Sequence, residues 1–208
     1  QNLYTYDEKI NKDDDWKNNF LNNEHIPKLS EELKSECNKE ISIMECSKAL
    51  KDLPNSKTPG SDGFQANFYK FFWVDIKDMV YDSFTYAFEH GFLSLEQRRG
   101  ILSLIPKSGK DLTYLKNWRP LSLLNTDYKI LTKLFAKRLQ VLLPEIIDTD
   151  QSGYINGRFI GENIRTIADM IHYTTIANLN SLIVMIDFEK AFDTVSHSFL
   201  LQCLESFN

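Results

Sequence analysis

Long apolar runs are missing from this 208-residue chain. No stretch approaches the ~18 consecutive apolar residues that a membrane-crossing helix requires, so no membrane partner is expected. Cysteine is scarce as well. Cys37, Cys46 and Cys203 stand too far apart for a paired metal site or a disulfide framework, which fits a reducing compartment. They read as small apolar filler. Net positive charge is absent too: 24 Lys and Arg against 29 Asp and Glu leave −5, which argues against a generic nucleic-acid binder. Internal repeats and low-complexity tracts are lacking, which leaves a globular architecture of one or two domains. The chain opens on Gln1 rather than methionine, carries no signal peptide and stops at Asn208 inside a helical pattern. It is therefore expected to be a fragment, cut at both ends.

Apolar residues make up 42% and aromatics 12%, enough for a real core. The charge is unevenly spread. From Arg98 to Arg138 ten basic residues meet only Asp111 and Asp127, a local net of +8 over 41 residues. A concentrated basic block can track a phosphate backbone while the whole chain stays acidic. A solvated helix face accounts for Lys129, Lys133 and Lys137, but poorly for Lys107 and Arg119.

Residues 1–40 are polar and read as an extension with short helices. Asp13, Asp14 and Asp15 form a solvated run, since no apolar strand delivers them to a cleft. Ser42 and Glu45 have capping-box spacing, with Ile41 placed to staple against Cys46. Cys46, Ala49, Leu50 and Leu53 give the following helix one apolar face, ending before Pro54. Residues 55–63 are a loop broken by Pro59, Gly60 and Gly63. Phe64 to His90 reads as helix, broken near Trp73 and stopped at Gly91. Phe68, Phe71, Phe72, Ile76, Val80, Phe84, Ala87 and Phe88 are expected in its core. Arg98–Lys107 and Asn117–Leu124 predict a hairpin with a long basic connection. An amphipathic helix is expected over 126–143, with Tyr128, Leu131, Leu134, Phe135, Leu139 and Leu142 inward and Pro144 at its end. Gln151–Arg158 is a glycine-punctuated loop. The next helix, from about Gly161, carries Ile164, Ile167, Ala168 and Ile171 on one face.

The stretch Ser181–Leu200 organises the rest. Leu182, Ile183, Val184, Met185, Ile186 and Phe188 show little alternation, which predicts a strand buried on both faces. Asp187 sits near its end. A carboxylate beside so much hydrocarbon needs a positive partner, and strand ends facing a cleft are where sheet enzymes place such groups. Ser196 or Ser198 then caps a helix beginning near Phe199.

Five stretches stand in order: KTPGSDGF (57–64), LIPKSGKD (104–111), NWRPLSLLN (117–125), QSGYINGRFIGENI (151–164) and IDFEKAFD (186–193). Over about residues 50–208 the chain resembles the fingers and early palm of a reverse transcriptase of the non-LTR, LINE-type retrotransposon class. Group II intron maturases share the hairpin and the Asp-centred strand, but NWRPLSLLN followed by DYKILTKLFAKRL is closer to the LINE class. The resemblance implies an α+β right-hand polymerase fragment, helices packed on a small antiparallel sheet, with a basic fingers hairpin. It divides the chain into an extension (1–53), fingers (54–148) and the start of the palm (149–208). It implies RNA-directed DNA polymerisation by two magnesium ions (Mg2+), with RNA template, DNA primer and dNTP as partners, in the nucleus or cytoplasm.

By matching motif, Asp187 is the first metal ligand and catalytic carboxylate, and the Phe188 carbonyl assists it. Phe192 matches the position that abuts the sugar 2′ carbon and excludes ribonucleotides, with core packing as the plainer alternative. Lys107 and Arg119 match residues that bind the incoming triphosphate, as suits a mobile ammonium and a planar guanidinium. Leu121 matches a residue pressing on the templating base, and Arg158 and Lys110 positions near the nucleic acid. Glu189 and Asp193 read as supporting acids. The later palm motif with adjacent Asp residues and the thumb are not in this sequence, so the fragment alone is expected to be inactive. A decayed or co-opted RNA- or hybrid-binding module is the alternative.

Overall fold

The computed structural model describes residues 14–22, 25–188, 191–192 and 194–207. Its elements run α1 (Asp14–Leu21), α2 (Glu31–Cys37), α3 (Ile43–Asp52), α4 (Ala66–Phe71), α5 (Trp73–His90), α6 (Leu95–Arg98), β1 (Gly100–Pro106), β2 (Trp118–Leu124), α7 (Thr126–Ile146), α8 (Ile160–Ile176) and α9 (His197–Ser206). They fall into two compact units, Lys39–Leu139 and Gln1–Asn38 with Gln140–Asn208. The boundary lies within α7.

The unit Lys39–Leu139 holds the main core. Ser42 accepts from the Glu45 amide while the Glu45 side chain accepts from Ser42 N, so the expected capping box starts α3. Ile41, just before α3, joins Cys46, Ala49, Leu50, Tyr69, Phe84, Ile130, Leu131 and Leu134 of α3, α4, α5 and α7 in one buried cluster. Each fully buried side chain such as Phe84 contributes roughly 1.5–3 kcal/mol relative to exposure. Burial pushes the Cys46 thiol up to about 11, so it stays a neutral apolar filler. Lys70 closes the C-terminal end of α3 by donating to the carbonyls of Lys51 and Leu53 at 3.0 and 2.6 Å.

Arg138 ties α7 to the start of α3. Its Nε and one Nη donate to the two Glu45 carboxylate oxygens at 2.8 and 3.0 Å. The other groups of its fork reach the carbonyls of Lys39 and Glu40. This guanidinium bonding, above all else, holds the Glu45 carboxyl below its ordinary value of 4.5. Because the folded value is depressed, the pair's contribution is complete above about pH 4.5 and is lost as pH falls below it. Arg138→Ala takes the guanidinium from a half-buried carboxylate and two backbone carbonyls. It is expected to cost about 2–3 kcal/mol at neutral pH, and the difference from the parent should shrink towards pH 3 in urea unfolding. An equal loss at both pH values would remove the electrostatic account.

Several expectations are corrected. The helical run from Phe64 does break, at Phe72, and Gly91 stops α5 with φ 77°. The break resets the helical phase, however, so Phe71 at the end of α4 is 80% exposed. Phe88 is also exposed and stacks on Phe135 at 5.7 Å. Leu139 faces solvent, whereas Ile130 is fully buried. Pro144 does not end α7. The backbone ladder resumes past it, with Ile147 N donating to Leu143 O at 2.9 Å, so the helix absorbs the one i→i−4 bond that proline cannot make. The small antiparallel sheet is present, and the buried core cluster is drawn from the helical part of the unit rather than from its strands. Both strands are largely exposed.

The largest correction concerns residues 182–188. They form no strand or helix, and Leu182 is 85% and Ile186 78% exposed. A strand exists only through neighbours that take its N–H and C=O groups. Among the described residues the one sheet is β1–β2, whose strands pair with each other. The apolar face of α8 is likewise uncovered, with Ile164, Ile167 and Ile171 exposed. In this second unit Ser196 caps α9 by accepting from Phe199 N. Phe20 of α1 meets Phe199 of α9 at 6.5 Å.

Candidate nucleotide-binding hairpin and carboxylate segment

The hairpin register is Gly100↔Leu124 through Ile105↔Arg119 to Pro106↔Trp118. Lys107 N continues it by donating to Asn117 O at 2.8 Å. Side chains alternate along a strand. Lys107 lies two residues beyond Ile105, and Leu121 two beyond Arg119, so all three candidates occupy one face of the ribbon. Pro106 and Pro120, lacking N–H, blunt the outer edges against further pairing.

The connection between the strands is held by its own bonds. Asp111 accepts from Thr113 N and Oγ1 at 2.9 and 2.7 Å. The backbone bond first, then the hydroxyl, keeps its carboxyl below the usual range. Asn117 Nδ2 donates to Asp111 O at 2.6 Å, and Trp118 Nε1 to Leu112 O at 3.0 Å. Gly109 turns at φ 68°, beside exposed Lys110. The half-buried Lys107 spends one of its three ammonium protons on Lys116 O at 2.8 Å. The exposed guanidinium of Arg119 meets no acceptor among the described residues. The face therefore carries one fork and one part-used ammonium, both available to an anion.

The remaining candidates lie in the other unit. Arg158 turns its guanidinium towards the chain itself. It donates to the carbonyls of Ile147 at 2.9 Å and Gln151 at 2.7 Å, and also to that of Asp148. Carbonyls beyond a helix end have no partner within the helix, and Arg158 satisfies those after α7. The loop is further held by Gln140, which donates to Tyr154 O and accepts from Asn156 N at 2.8 and 3.2 Å. Phe192 meets Tyr154 edge-on, ring centroids 6.1 Å apart at 87°. Asp187 and Phe188 are exposed on the unpaired segment. Glu189 and Asp193 lie outside the described residues.

Gly60 is more than the loop breaker its sequence suggests, and Asn125 and Tyr154 lie inside the motifs without a role marked by their sequence. Asn125 is 3% exposed, and its partners are distant in sequence, so no local signal marks it.

Residues 105–208 match the family model described as reverse transcriptase (RNA-dependent DNA polymerase). The chain belongs to that family. It is 41% identical over 183 residues to a Xenopus laevis protein named Transposon TX1 uncharacterized 149 kDa protein, covering 88% of this chain and 14% of that protein. It is 33% identical over 105 residues to the Pol polyprotein of the type-1 retrotransposable element R2 of Popillia japonica, covering 50% of this chain and 14% of the relative. A probable RNA-directed DNA polymerase from transposon BS of Drosophila melanogaster is 27% identical over 167 residues, 78% of this chain and 18% of that protein. The non-LTR retrotransposon character read from the motifs is borne out. The chain spans about one-seventh of the TX1 and R2 proteins it matches.

Proposed function

We propose that this chain is the fingers and early palm of a retrotransposon polymerase that extends a DNA primer on an RNA template. The observation that carries this reading is the hairpin face. A projecting ribbon holds Lys107, Arg119 and Leu121 together, with a guanidinium free for phosphate. Arg119 suits a bidentate grip on phosphate oxygens, and Lys107 adds a mobile point charge. Leu121, apolar and exposed on the same face, suits contact with a base.

Asp187 is a hard oxygen donor of the kind magnesium takes. Among the described residues no three of His, Cys, Asp and Glu come together. In this reading Asp187 is one ligand of the metal pair, and the others are assigned to a longer protein. Magnesium, when bound, would supply activation of the primer 3′-hydroxyl and charge neutralisation at the transferred phosphate. Phe192, beside Tyr154, is the ring proposed to exclude a 2′-hydroxyl. Arg158 acts in this reading by shaping the 151–158 loop rather than by touching the strand. Residues 182–188 and the open face of α8 are surfaces for the remaining palm to cover, since apolar patches of this kind mark interaction sites.

The test is primer extension by the longer protein at varied dNTP. Lys107→Ala with Arg119→Ala is expected to raise the dNTP KM at least about tenfold, one charged contact alone being worth that much. The affinity for the RNA–primer duplex should change far less. Loss of duplex affinity with an unchanged dNTP KM would instead favour a nucleic-acid-binding face.

A further inference from the structure

The hairpin has little of its own to hold it. Its strands are mostly exposed, and an isolated two-stranded ribbon is marginal in water. Its direction must therefore be set at its base. There Asn125, immediately after β2, is buried. Its Nδ2 donates to Glu96 O at 3.0 Å, in α6 just before β1. Its Oδ1 accepts from Ser61 Oγ at 3.3 Å and Asp62 N at 3.4 Å, in the 55–63 loop. One side chain thus ties together the segment leading into β1, the residue leaving β2, and the loop beside them. Thr126 adds a bond from Oγ1 to Phe64 O at 2.6 Å. The loop approaches so closely that a Cβ on Gly60 would lie 2.1 Å from Asn125 Oδ1 and 2.4 Å from the Asn125 backbone nitrogen. Only glycine fits there.

We infer that Asn125, with Gly60 making room for it, is a positioning residue that sets the angle of the hairpin and so aims Lys107 and Arg119 at the nucleotide. The aiming half rests on the polymerase reading; the anchoring half does not. A side chain that bridges three segments fixes direction as well as stability, because losing it frees both ends of the ribbon at once.

The experiment has two readouts. In the 208-residue chain, hydrogen exchange is followed for Asn125→Ser and, separately, Gly60→Ala, against Ile130→Val as a core control. The Asn125 and Gly60 variants should speed exchange of the cross-strand amides of 100–124 at least tenfold, while amides of α5 change less than threefold; Ile130→Val should show no such bias. In the longer protein, Asn125→Ser should raise the dNTP KM several-fold with duplex affinity retained. Combined with Lys107→Ala and Arg119→Ala it should add little, as expected for residues acting through one contact. Uniform acceleration across Lys39–Leu139, or failure of either variant to fold at all, would make Asn125 a general stabiliser and overturn the inference. Local loosening with an additive effect on KM would overturn the aiming role. If Lys107→Ala with Arg119→Ala itself leaves KM unchanged, the polymerase reading of the hairpin fails instead.

Discussion

On the proposed two-metal reading, Asp187→Asn in a longer retrotransposon protein is expected to lower RNA-templated primer extension at least about 1,000-fold, or roughly 4 kcal/mol of barrier. Asn keeps the shape of the side chain and removes its charge. Two divalent cations about 4 Å apart repel by about 16 kcal/mol at an effective dielectric of 20, against about 4 in water. Every carboxylate of the cage offsets part of that. The same arithmetic predicts that the 208-residue chain alone does not extend a primer, since on that reading Asp187 and a bound triphosphate alone would face the pair. Extension by the longer Asp187→Asn protein within tenfold of the parent would remove Asp187 from the site. Extension by the short chain above its own Asp187→Ala control would show that the missing ligands are dispensable.

The amides of Leu182–Phe188 should exchange at the rate of an unstructured peptide in the 208-residue chain. In the longer protein they should slow by at least about a thousandfold, the protection typical of a paired core strand. The sequence of this segment is that of a strand buried on both faces, yet its side chains lie open. Hydrocarbon left in water is unfavourable by about 25 cal/mol per Å², so supplying strand partners on either side should order it cooperatively. Mass spectrometry of peptides covering 179–192 in both forms gives the answer. Unprotected amides in the longer protein would mean that the segment is a linker, and Asp187 would lose its rigid mount.

Helices and turns were legible because their bonds are local. Ser42 and Glu45 cap α3 across three residues, and Ser196 caps α9 over the same span. Gly91 ends α5 because a left-handed residue was needed there. The hairpin followed from two β-rich runs around a polar, Gly-containing connection. Its register then placed Lys107, Arg119 and Leu121 on one face by alternation alone. The motif order led to the family without any coordinates.

Contacts between residues far apart in the chain could not be read this way. Arg158 matched a position near the nucleic acid, and only the folded chain shows its guanidinium closing the carbonyls after α7. Asn125 stands in the NWRPLSLLN motif with nothing local to mark its role. Its task appears only when Ser61, Asp62 and Glu96 arrive around it. Pro144 stays within a helix because the ladder resumes beyond it. Residues 182–188 carry the composition of a strand, but pairing is a property of neighbours, and the neighbours decide. Local propensity is written into a few adjacent residues; the partners that satisfy a guanidinium, an amide or a strand edge are supplied by chain from elsewhere.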